Sequence, residues 1–288
     1  MICFVILHYM VRNETEACVR SLDKLEGEKS IVIVDNASSN GSGTELYNLY
    51  KDRDDIEVVI NEENLGFANG NNLGCRIAEK KYKPDFFCVM NNDVEIPQID
   101  FIHKVEDIFR RENFDILGPD IYSTTGKIHQ SPKNLNRTTI EGAKRLLKDY
   151  EKKNKSMILV PLRCYLKRFE LLKKVVNKRK NKAQGIDYSQ KYYDVPLHGS
   201  CFVFSKKFID ERSSAFFDKT FFYYESEILD YQCQIEKRKV VYDPSIRVLH
   251  HQNIATNTIY KNELKKVRFM NLQNYNSIAS FLQEYGKE

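Results

Sequence analysis

The chain has 288 residues, 42% hydrophobic and 30% charged, with 12 Gly and 7 Pro, which is long enough to bury a sizeable core and too mixed for a disordered or fibrous protein. The formal charge of +5 hides an asymmetry, because residues 144–182 hold 15 Lys or Arg against three acids and leave the remainder at −7. This excludes generic nucleic-acid binding by the whole chain and favours a localised basic face.

In chain order, residues 2–9 and 30–35 are short continuous apolar runs rich in Ile and Val, as strands covered on both faces are. Between them Ala17, Val19, Leu22 and Leu25 recur at near-helical spacing over Glu14 to Leu25, with Asn13 as the expected cap. The unit repeats: Thr44 to Lys51 as helix, Ile56 to Ile60 as strand, Phe67 to Lys81 as helix, and Asp85 to Met90 as strand. Such alternation predicts an α/β fold, a mostly parallel Rossmann-like sheet with helices on both faces and right-handed crossovers. A helix follows near Ile99 to Arg111 and a strand at Asp115 to Ile121. The basic stretch comes next, an insertion over about 139–182 in which Leu162, Leu166, Phe169, Leu172 and Val176 mark an amphipathic helix. A strand around Cys201 to Phe204, a helix from about Glu225 to Glu236, a strand at Lys239 to Tyr242 and a closing helix from Asn262 to Tyr285 complete the order.

In parallel sheets binding groups sit just past the carboxyl ends of the strands, and the polar clusters fall there. They are His8 and Tyr9 after the first strand, Asp35 to Gly41 after the second, Asn61 to Asn72 after the third, and Asn91, Asn92 and Asp93 after the fourth. Each alone reads equally well as an ordinary turn or helix entry; their joint placement on one rim carries the argument. A carboxylate at a strand end suits a base ring or ribose, a role open to Asp35. Asp93 is placed to supply a carboxylate to a hard cation, Mg²⁺ or Mn²⁺, against a diphosphate. A transfer to a hydroxyl would also need a carboxylate or His as base.

The stretches Val34-Asp35-Asn36-Ala37-Ser38, Asn64-Leu65-Gly66-Phe67-Ala68-Asn69-Gly70-Asn71-Asn72-Leu73-Gly74, Asn91-Asn92-Asp93, His198-Gly199-Ser200, Phe217-Asp218 with Phe221-Phe222-Tyr223-Tyr224-Glu225, and Val248-Leu249-His250-His251 run in one order from residue 2 to about 251. In these the chain resembles the family 2 glycosyltransferases of the GT-A (nucleotide-diphospho-sugar transferase) fold, particularly the bacterial rhamnosyltransferase-like branch. The resemblance implies an inverting transfer from a UDP- or dTDP-linked sugar, with Asp35 and Asn36 on the nucleotide, Asp93 on the metal and the acid after Phe-Phe-x-Tyr as base. It places His8, Tyr9, Ser38, Asn64, Gly66, Phe67, Asn71, Asn91 and Asn92 on the donor side, and His198, Gly199, Ser200 and Tyr224 on the acceptor side. The family's Asp-x-Asp is reduced here to Asn91-Asn92-Asp93. Its paired acids become Glu225-Ser226-Glu227, where Glu225 aligns best and Glu227 is the alternative. His250, ahead of His251, takes the place of a further metal ligand, and an imidazole ligand favours Mn²⁺ over Mg²⁺. His8 and His198 read equally as structural histidines.

The implied domains are a catalytic unit over 1–257, divided at about 95 into nucleotide-binding and acceptor-binding halves, and a C-terminal helix over 258–288 that packs in cis or forms a homodimer. No apolar run approaches the roughly 20 residues of a membrane-spanning helix, and the seven scattered cysteines suggest neither disulfides nor zinc. A cytoplasmic protein is expected, with residues 144–182 either a solvated face or a contact with the anionic inner face of the cell membrane, where a lipid-linked acceptor for a cell-surface polysaccharide would lie. The rival readings are a sugar-phosphate nucleotidyltransferase, although His8 to Asn13 is not its Gly-rich loop, and a catalytically inactive sugar-binding protein of the same fold.

Overall fold

A computed structural model describes residues 1–156, 185–212, 214–251 and 262–287. The first half alternates as expected: β1 (Ile2–His8), α1 (Arg12–Asp23), β2 (Lys29–Asp35), α2 (Ser42–Tyr50), β3 (Ile56–Ile60), α3 (Gly66–Lys81) and β4 (Phe86–Asn91). A two-residue strand β5 (Val94–Glu95), α4 (Phe101–Glu112), β6 (Ile116–Ser123), β7 (Ile128–His129), α5 (Ile140–Lys155), β8 (Tyr192–Tyr193), β9 (Cys201–Ser205), α6 (Lys206–Asp210), α7 (Glu225–Ile235), β10 (Val240–His250) and α8 (Glu263–Tyr285) follow.

Among the described residues ten strands form one sheet whose main path is β3-β2-β1-β4-β9-β6-β10-β5. The β1, β2, β3 and β4 pairings are parallel, as is β6 with β10, while β9 runs antiparallel between β4 and β6. Strand alternation explains the two-sided core. Ile2, Phe4 and Ile6 pack with Val19 and Leu22 of α1, Leu46 of α2 and Phe101 and Val105 of α4, whereas Cys3 and Val5 face Ala68 and Cys75 of α3 and Leu229 of α7. A third cluster joins Ala143 of α5, Tyr224 and Ile228 at α7, and Ile278 and Phe281 of α8, so the closing helix packs within the chain.

Two local expectations are corrected. Asn13 does not cap α1, which begins a residue earlier at Arg12 with Val11 at the cap and no side-chain cap bond. The strand expected at Lys239 to Tyr242 continues to His250, because a register shift between Asp243 and Arg247 lets β10 go on pairing with β6 past Pro244. The amphipathic helix expected around Leu162 to Val176 lies outside the described residues. Among the described residues no helix is long and apolar enough to cross a membrane.

Candidate active site

Parallel pairing in register aligns His8 with Asp35 and Leu7 with Asn91, so the strand ends share one edge of the sheet. A cavity of about 550 Å³ opens there. Tyr9, Asn36, Asn64, Phe67, Asn91, Asn92 and Asp93 line one part of its wall, and His198, Gly199, Ser200, Tyr224, Glu225 and His250 another.

Sheet pairing accounts for the meeting of Asp93 and His250. The chain turns sharply after β4, and β5 pairs antiparallel with the end of β10, setting His250 opposite Val94. The His251 backbone N–H then donates to the Asp93 carbonyl at 2.9 Å. His250 Nε2 ends 3.3 Å from Asp93 Oδ1, with both side chains nearly buried. That oxygen has no hydrogen-bond partner among the described residues, which is costly for a buried carboxylate unless a cation meets it. His250 Nδ1 lies 2.8 Å from Gln130 Oε1. His251 is directed elsewhere, with Nδ1 at 3.0 Å from Thr124 Oγ1 and Nε2 at 3.3 Å from Glu95. A carboxylate and an imidazole facing one point fit a divalent cation that takes its remaining ligands from a diphosphate and water. Among the described residues no group of three or more His, Cys, Asp or Glu is so arranged.

Glu225 opens α7 after two consecutive left-handed residues, Tyr223 (φ 69°) and Tyr224 (φ 71°). For bulky side chains this conformation is strained, and packing of Tyr224 in the third apolar cluster, its ring 6.0 Å from that of Phe281, holds it. Glu225 is 8% exposed and its Oε1 has no hydrogen-bond partner among the described residues. Burial pushes its carboxyl up to about 7, with Glu227 adding to the rise and backbone N–H groups and Lys133 opposing it. A cavity-facing carboxyl that titrates near neutrality suits proton transfer. Glu227 is not on the wall: its Oε1 accepts a hydrogen bond from the Lys133 ammonium. Two residues apart on a helix, the two acids point to different sides.

His8, Asp35, Ser38, Gly66 and Asn71 are likewise absent from the wall. His8 is fully buried, with Nδ1 at 2.7 Å from Thr15 Oγ1 and Nε2 at 2.8 Å from Ser42 Oγ, and burial pushes it down to about 4 against the pull of Asp35. It is a neutral link inside the fold, and Thr15 in turn accepts from the Asn92 side chain at 3.0 Å. Asp35, 1% exposed, lies beneath the edge and accepts from the Ser38 N–H at 3.2 Å, while Ser38 Oγ accepts from the Met10 N–H at 2.8 Å. Asn71 donates to the Phe67 carbonyl at 2.9 Å.

Gly66, at φ +75°, brings the loop against Phe221, whose carbonyl accepts from the Phe67 N–H at 2.7 Å; a Cβ at Gly66 would lie 2.2 Å from that oxygen. Asn72 completes the seam, its amide donating to the Phe216 carbonyl and accepting from the Phe216 N–H, each at 2.9 Å. Much of the Asn64 to Gly74 stretch thus grips the segment leading to Glu225. His198 faces the cavity with its Nδ1 accepting from the Ser200 N–H at 3.2 Å, and burial, with Lys133 and His250 nearby, pushes its pKa well down.

Sequence reasoning missed Lys133, Phe269 and Met270 on the wall and Gln130 behind it. Lys133 is one of 45 Lys or Arg and sits in a loop without periodicity, and Phe269 and Met270 are adjacent residues within the long helix α8, so nothing local distinguishes them.

The profile of glycosyl transferase family 2 matches residues 3–179. Agl10, described as a low-salt glycan biosynthesis hexosyltransferase of Haloferax volcanii, is 30% identical over 125 residues, 43% of this chain, which spans 39% of the length of that curated relative. The crystal structure of S. aureus TarS 1–349 aligns over 99% of this chain and 72% of its own, with TM-score 0.54 and 10% identity. GalNAc-T7, crystallised with UDP, GalNAc and Mn²⁺, aligns over 87% of this chain and 43% of its own, with TM-score 0.57 and 15% identity. At these identities the structural likeness establishes the GT-A architecture and no more.

Proposed function

Because this chain belongs to glycosyl transferase family 2, we propose that it transfers a sugar from a nucleotide-diphosphate donor, UDP- or dTDP-linked, to an acceptor hydroxyl with inversion. One observation carries the reading: Glu225, whose Oε1 has no hydrogen-bond partner among the described residues, and the Asp93–His250 pair line the same cavity. Glu225 takes the proton from the acceptor hydroxyl, whose oxygen forms a bond to the anomeric carbon on the face opposite the nucleotide. The bond from that carbon to the diphosphate breaks, the electron pair leaves with the diphosphate, and the configuration inverts. A divalent cation held by Asp93 and His250 would supply charge stabilisation for the departing diphosphate. Imidazole ligation favours Mn²⁺, the ion crystallised with GalNAc-T7.

Tyr9, Asn36, Asn64, Asn91 and Asn92 form the donor wall in this reading, with His198, Gly199, Ser200 and Tyr224 on the acceptor side. The name of Agl10 supports a hexosyl donor and a part in glycan synthesis. In this reading the acceptor is a glycan or lipid-linked hydroxyl at the cytoplasmic face of a membrane, in cell-surface polysaccharide synthesis. Exposed Lys144, Arg145 and Lys148 on α5 would face the anionic lipids of that membrane. The test is a panel of nucleotide sugars with Mn²⁺, followed by thermal unfolding, where a donor at about a hundred times its Kd adds about 2.7 kcal/mol of stability. One nucleotide class should stabilise the protein, and the product from that donor should show the opposite anomeric configuration by NMR. Retention of configuration, or no stabilisation by any donor, would overturn the reading.

A further inference from the structure

Asp93 Oδ1 and His250 Nε2 face each other at 3.3 Å, and the protonation of the imidazole decides what that geometry means. If Nε2 carried the hydrogen, the imidazole could donate to Asp93 and close the pair on itself. With the hydrogen on Nδ1, Nε2 turns a lone pair toward an anionic oxygen and both atoms are free for a cation. Gln130 Oε1, 2.8 Å from Nδ1, accepts hydrogen bonds and cannot donate one, so of these two neutral forms it selects the second. Its own position is well supported. The Gln130 N–H donates to the Ile121 carbonyl at 2.8 Å, fully buried Ser131 follows, and the Lys133 N–H donates to the Pro196 carbonyl at 2.8 Å.

We propose that Gln130 is a positioning residue that holds His250 in the Nδ1–H form and keeps the Asp93–His250 pair open to a divalent cation. This rests on the metal role given to that pair above. An outer partner of this kind orients the ligand and raises its basicity, and its loss weakens metal binding roughly ten- to a hundredfold.

The experiment measures free Mn²⁺ by electron paramagnetic resonance during titration of the intact protein in the presence of UDP. Gln130→Ala should raise the Mn²⁺ Kd roughly ten- to a hundredfold, while Gln130→Glu, which still accepts from Nδ1–H, should stay within about threefold of the parent. In a His250→Ala background the Gln130→Ala change should have no further effect. Parent-like Mn²⁺ binding by Gln130→Ala, alongside weakened binding by His250→Ala, would overturn the role of Gln130 and leave the metal pair standing. Equal binding by the parent and His250→Ala would remove the metal pair and this inference with it. Loss of binding in Gln130→Glu, in protein whose thermal unfolding matches the parent, would also overturn it, since the acceptor is retained.

Discussion

The two halves of the sheet reach the cavity by different routes. From β1 to β4 the chain repeats a strand-and-helix unit, and parallel register delivers Tyr9, Asn36, Asn64 and Asn91 to the rim from consecutive strand ends. Beyond β4 the chain doubles back: β9 runs antiparallel between β4 and β6, β10 passes a register shift, and Glu225 emerges from two left-handed residues. The first half is a series of local solutions, whereas the second works only after distant segments have paired. The seam between them joins α3 to the backbone of the second half, by the Phe67 N–H to Phe221 and by the Asn72 side chain to Phe216. The strand-end wall and Glu225 are therefore separable in composition and coupled in position.

The sharpest way to break that comparison is to remove a group from one half alone. Glu225→Gln should lower kcat by roughly 10²–10⁴-fold with nucleotide affinity unchanged, while Glu227→Gln, which removes the charge paired with Lys133 at a residue that does not line the wall, should cost far less. Steady-state kinetics beside calorimetric UDP binding checks this, and the reverse order would transfer the base to Glu227. The seam itself is tested at Gly66. An alanine there meets both a positive φ and the Phe221 carbonyl, so unfolding in urea should show a loss of about 2–4 kcal/mol together with reduced activity.

A smaller effect comes from pH. Burial pushes Glu225 up to about 7, and the base acts when ionised, so the rate should fall about tenfold per unit below about 7 and level off above it. The folded state binds that proton more tightly than the unfolded chain does, so the Glu225 contribution to stability is full below about 4.5 and is lost as pH rises through about 7. A rate that is flat from pH 5 to pH 8 would separate Glu225 from the chemistry. The smallest effect is expected at the surface. Replacing Lys144, Arg145 and Lys148 with Gln should weaken sedimentation with phosphatidylserine vesicles by about 1 kcal/mol per charge, and binding indifferent to salt would count against a docking role.

How much was legible in the sequence differs by residue. In the first half strands are legible as short continuous apolar runs and helices by their spacing, and the family in the Asn64 to Gly74 stretch, because each signal lies within a few residues. The same stretch misled about contact: Gly66 and Asn71 do not touch the cavity, and Asn72 grips Phe216, since a motif states which residue types a place needs and not which neighbour they face. Asp35 lies one layer down for a similar reason, its strand-end position being readable and its orientation being set by Ser38 and the α2 entry. Gln130 and Lys133 had no signal, as loop residues acquire roles from whatever the sheet brings beside them.

The sequence by itself determined the alternating α/β pattern, the carboxyl-edge location of the polar clusters and the membership of the family, because hydrophobic period and turn chemistry act over short range. Tertiary structure alone decided that Asp93 meets His250 and not His251, that Glu225 and not Glu227 faces the cavity, and that the closing helix α8 lends Phe269 and Met270 to its wall. Those outcomes depend on strand register, on the bulge in β10 and on the packing of Tyr224, which arise when segments far apart in the chain exclude water together.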